Sequence, residues 1–121
     1  MNYDLLLKII YSFYEVAKRD YLIGYQFRSI EDFDEHIPRI ADFWNLQMNG
    51  EVQEKGNLPF NLINTHKPLN LKKAEIGRWI VIFENNLNTY IKKGEITQVQ
   101  ADLFLKKVHH MRDKLQGILF G

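Results

Sequence analysis

Leu5, Leu6, Ile9, Ile10, Phe13, Val16 and Ala17 recur at spacings of three and four, as the apolar face of a helix does. With Asn2 or Asp4 in place to cap it, this spacing predicts a first helix over about residues 3–19. The periodicity fails between Asp20 and Arg28, where Gly24 permits a turn and only a short helical piece fits. Ser29 is a candidate cap for a second helix over about 31–48, whose stripe is Phe33, Ile37, Ile40, Ala41, Trp44 and Met48. Pro38 falls inside it and costs about 3 kcal/mol unless it lies near the first turn, so a late start or a bend is expected. Asn49 to Thr65, with Gly50, Gly56, Asn57 and Pro59, reads as a long loop of the kind that is usually functional or mobile. Asn70 is a candidate cap for a third helix with Ile76, Trp79, Ile80, Phe83, Leu87 and Tyr90 on one side, ending before Gly94. Thr97 and Gln100 form a capping-box pair before a fourth, with Phe104, Val108, Met111, Leu115 and Ile118 as its stripe. There is no β-alternation and no repeat, so the expected class is all-α with four main helices.

At 121 residues the chain is expected to be one domain, 1–121, large enough for a core and one ligand. A net charge of +1, from 16 basic and 15 acidic residues spread along the chain, gives no field for nucleic acid or an anionic membrane, and neither partner is expected. The absence of cysteine excludes disulfides, thiolate zinc sites, iron–sulfur clusters and cysteine nucleophiles. No segment approaches the roughly 18 continuous apolar residues of a membrane span, and the start Met1-Asn2-Tyr3-Asp4 lacks a basic stretch, so a cytoplasmic protein is expected.

Imidazole is what remains for a soft metal, and the histidines are His36, His66, His109 and His110. None pairs at the four-residue spacing of a helical zinc site. The seven glycines form neither a phosphate loop nor a nucleophile elbow. Read from the residues alone, His66 is a solvated loop histidine, His36 borders the second helix's buried stripe, and Trp79 packs in the core. Tyr14 adjoins Phe13 one turn after Ile10, and a buried hydroxyl there needs a polar partner, for which a backbone carbonyl would serve. The run Lys106 to Lys114 interleaves with core positions and reads as the wet face of the last helix.

The tract Phe13-Tyr14-Glu15-Val16 through Ile23-Gly24-Tyr25-Gln26-Phe27, followed by Asp34-Glu35-His36 and Asp42-Phe43-Trp44, resembles the truncated haemoglobins, and is most similar to their third group. This resemblance implies a truncated globin-like 2-over-2 helical sandwich around one haem b (iron protoporphyrin IX). It also implies a histidine as the iron's proximal ligand; between Trp44 and Trp79 that histidine is His66, thirteen residues before Trp79. Tyr14 is then the main hydrogen-bond donor to the bound gas, with Trp79 as a second donor and His36 at the pocket edge. Ile40 presses on the distal face, Phe43 lines the edge and Phe27 stacks near the macrocycle. Lys67, Lys72 or Arg78 are near enough in sequence to hold the propionates.

The function implied is reversible binding of oxygen, and of nitric oxide or carbon monoxide, by a monomer. The alternative is a haem-dependent peroxidase or nitric oxide dioxygenase using the same site, with a reductase supplying electrons. A haem-free helical interaction module remains if His66 is not a ligand.

Overall fold

The computed structural model describes residues 1–27, 33–50 and 71–120, and within them finds four α-helices and no strand. They are α1 (Tyr3–Ala17), α2 (Phe33–Asn49), α3 (Lys73–Lys92) and α4 (Gln98–Leu119), with a 3-10 turn at Gly24–Phe27. The all-α expectation is met. α1 packs on α2 and on α3, α3 packs on α4, and α2 meets α4 more lightly. The four helices share one core.

Local chemistry sets the helix ends. Asn2 caps α1 by accepting the Leu5 N–H at 2.9 Å. Thr97 and Gln100 cap α4 reciprocally, the Thr97 hydroxyl accepting from the Gln100 N–H and the Gln100 side chain from the Thr97 N–H. α3 differs from expectation: its N-cap is Lys72, whose N–H donates to the Glu75 carboxylate at 3.0 Å. Glu75 thus does the capping from inside the helix. Gly94, at φ +74°, takes the left-handed conformation that ends α3. Pro38 lies in the second turn of α2 as described, where its ring nitrogen has no proton to give the Asp34 carbonyl. The expected caps Ser29 and Asn70, the 51–70 stretch and the Phe33 side chain lie outside the described residues.

The core is aromatic at its centre. Phe83 stands 5.3 Å from Phe13 and 5.0 Å from Phe104 between ring centroids, and all three are fully buried. Around them pack Leu6, Ile9 and Ile10 of α1, Ile40 and Trp44 of α2, and Leu87 of α3. Two positions of the expected stripes face solvent instead: Val16 is 54% exposed and Ile118 51%. Val16 stands at the edge of its stripe, beside the fully buried Ala17, and Ile118 sits in the last turn of α4. Polar contacts fix α1 against α3, where Ser12 Oγ lies 3.1 Å from Asn86 Oδ1 and 2.9 Å from the Tyr90 hydroxyl. Asn86 in turn donates to the Ile9 carbonyl at 3.0 Å.

The chain leaves α1 through a tight turn. A Cβ built on Gly24 would stand 2.9 Å from the Lys18 carbonyl oxygen, a backbone atom that cannot step aside, whereas one on Gly77 in α3 meets nothing within 4 Å. We expect Gly24→Ala to cost about 1–3 kcal/mol in urea unfolding. Gly77→Ala should gain about 0.5–1 kcal/mol by removing a helix-interior glycine. Equal midpoints for Gly24→Ala and the parent would contradict the close approach.

Candidate functional site

Between α1, the 3-10 turn, α2, the start of α3 and the second half of α4 lies an apolar cavity. Its volume is about 100 Å³. Ligand pockets commonly span roughly 300–1,000 Å³, so this cavity is smaller than most, and a group of porphyrin size would need its walls to move apart.

Five of the residues named from the sequence line this space: Tyr14, Phe27, Ile40, Phe43 and Trp79. They come from α1, the turn, α2 and α3, so the fold collects them from four separate segments. Tyr14 stands at the junction, its ring edge-on to Phe13 at 5.2 Å, to Phe27 at 5.4 Å and to His36 at 6.4 Å. His36 is not itself part of the lining; it meets the cavity through Tyr14. Burial pushes the Tyr14 phenol well above its ordinary range, so the hydroxyl keeps its proton at physiological pH. Trp79 is stacked on Phe83 at 5.2 Å and 17° and held against Phe13 at 5.1 Å, which fixes its indole plane. His66 and Lys67 lie outside the described residues.

The polar part of the wall contains residues that periodicity did not single out: Gln26, Glu75 and Arg112. Glu75 is only 3% exposed. Burial would raise its pKa, but the Tyr25 hydroxyl, the Lys72 N–H and the Gln26 amide all donate to it and hold it below the usual carboxylate range. The same contacts tie the turn to the first turn of α3. A signal for Glu75 was present in the sequence, since a glutamate three residues into a helix caps its start while Ile76 and Trp79 continue the buried stripe. Arg112 sits four residues after Val108 and one after Met111, both lining residues, within the run read as a wet face. Its place in the wall corrects that reading for this one side chain. Arg78, a suggested propionate partner, instead grips Asp20 through Nε at 3.1 Å and Nη2 at 2.9 Å and stacks over the Tyr21 ring. Lys72 serves as a helix cap.

The chain matches no protein-family model, no curated protein and no solved structure. Among the described residues no helix is long and apolar enough to cross a membrane.

The wall depends on Asp20. Its carboxylate accepts from Arg78 and from the Leu22 and Ile23 N–H groups at 3.0 and 3.2 Å, so one side chain fixes both the turn and α3. The Arg78 donors, then the two backbone N–H groups, hold its pKa below the usual value against the opposing effect of burial. A depressed folded-state pKa stabilises the fold above the unfolded value of about 4, and this is lost as pH falls through the folded pKa. Asp20→Asn should therefore unfold a few degrees below the parent at pH 7, with the gap closing below about pH 4. A gap that stays constant from pH 7 to pH 3 in thermal melts would contradict the ion pair's role.

Proposed function

We propose that this chain is a truncated globin of the third group, with α1 and α2 packed over α3 and α4 around one haem b. The observation that carries the reading is the convergence of Tyr14, Phe27, Ile40, Phe43 and Trp79 on one apolar cleft, with His36 edge-on to Tyr14. All five are named by the resemblance to a haem-binding family, whereas periodicity places only Ile40 and Trp79 among them on buried stripes. Their chemistry suits the group: apolar and aromatic side chains favour a flat macrocycle, and a tyrosine that keeps its proton stands among them.

When bound, haem b supplies a ferrous iron that takes up oxygen, nitric oxide or carbon monoxide reversibly. In this reading His66 is the proximal ligand that retains the group. The Tyr14 hydroxyl and the Trp79 indole N–H orient and stabilise the gas, Ile40 and Phe43 exclude water from its side of the cleft, and Phe27 packs against the macrocycle. His36 borders Tyr14 and governs access to it.

A hydrogen bond to a partly charged acceptor is worth about 1.5–3 kcal/mol, so Tyr14→Phe should release oxygen roughly 10- to 100-fold faster. Carbon monoxide develops little charge, and its release should change far less. Stopped-flow oxygen release within about threefold of the parent, in both Tyr14→Phe and Tyr14→Phe combined with Trp79→Phe, would overturn Tyr14 as the donor.

A further inference from the structure

We propose that Arg112 is the anchor for a carboxylate of the cavity's occupant, so that the site selects an amphipathic ligand with an apolar body and an acid group at the mouth. The assignment rests on the haem reading and deepens it, naming on this chain the residue that receives a propionate. Among the described residues, two charged side chains line the cavity, Glu75 and Arg112. Glu75 already accepts from three donors, and its negative charge disfavours a second carboxylate beside the start of α3. The anion's place is therefore on α4.

Arg112 is suited to that task. Val108, Met111 and Leu115 line the cavity beside it from α4, and Arg112's own side chain is 31% exposed, the setting in which an arginine packs its apolar stem and keeps its charged head wet. Its described partner is Asp113, the adjacent residue, through Nε at 3.0 Å and Nη2 at 2.9 Å. Asp113 is itself 66% exposed, and a solvated pair of this kind holds its partners weakly. A guanidinium has five N–H donors in a planar fork, so one edge remains for a carboxylate while the other stays on Asp113. Among the described residues, Arg78 is committed to Asp20, and Lys72, which caps α3 through its backbone N–H, does not line the cavity.

The test titrates the full-length apoprotein with iron protoporphyrin IX and, separately, with its dimethyl ester, following quenching of Trp44 and Trp79, the chain's two tryptophans, both in the cavity wall. The parent should prefer the diacid. Arg112→Met should weaken the diacid roughly tenfold and leave the ester unchanged, while Arg112→Lys, which keeps the charge, should retain most of the preference. Unchanged ester binding also reports that the variant is folded. An undiminished preference in Arg112→Met overturns the assignment while leaving the haem reading standing. If Arg112→Met weakens both porphyrins alike, Arg112→Lys decides: loss of its preference for the diacid overturns the assignment, and retention supports it. A folded parent that binds neither porphyrin overturns the haem reading and this assignment together.

Discussion

Glu75 and Arg78, one turn apart on α3, hold the turn between α1 and α2 against that helix, and the cavity depends on this grip. Arg78 takes Asp20 at the turn's start, and Glu75 takes the Tyr25 hydroxyl near its end. Between and beside these two points the turn presents Ile23, Gln26 and Phe27 to the cavity. An apolar cleft is unfavourable to leave open, since its lining forgoes contacts that a collapsed wall would make. Directional polar contacts from a rigid helix resist that collapse where nonspecific packing would favour it. Gly24 contributes by letting the backbone pass against the Lys18 carbonyl, which brings the turn close enough for both grips to form.

The same arrangement explains the position of the tyrosine. α1 buries Phe13 in the aromatic centre with Phe83 and Phe104, and the next residue along is carried to the border of the core. Tyr14 therefore has its ring packed on Phe13 and Phe27 and its hydroxyl in a low-polarity setting, where a single hydrogen bond matters more than it does in water. Trp79 approaches through its stack on Phe83. Core and cavity wall share one set of contacts, since Phe13 and Phe83 are core residues and the backing for both Tyr14 and Trp79.

Much of the helical frame was legible because its signals are local. Spacings of three and four located α1, α3 and α4, and the Thr97–Gln100 box marked the start of α4 from two residues. The errors at Val16 and Ile118 are of one kind: periodicity identifies a face but not how wide a part of it a neighbour covers. The start of α3 was misplaced because asparagine is the commoner cap, whereas here a glutamate inside the helix supplies the acceptor. Contacts such as Asp20 with Arg78 and Tyr25 with Glu75 join residues 58 and 50 positions apart, a separation at which no local pattern acts. Arg112 was hidden for a different reason. Charge argues for solvent, and only the folded wall reveals that this side chain lines the cavity while remaining 31% exposed. Haem, and His66 as its ligand, rest on the family resemblance and on the cleft's chemistry.

The central claim is that this cleft takes up haem, and the absorption spectrum tests it most directly. Iron protoporphyrin IX added stepwise to the purified chain should give a sharp Soret band that saturates at one equivalent. On reduction the band should shift with carbon monoxide and shift reversibly with oxygen, and His66→Ala should lower haem retention while His109→Ala and His110→Ala leave the spectrum unchanged. A folded, helical protein whose mixture with haem keeps the broad spectrum of the free cofactor at every ratio would contradict the account.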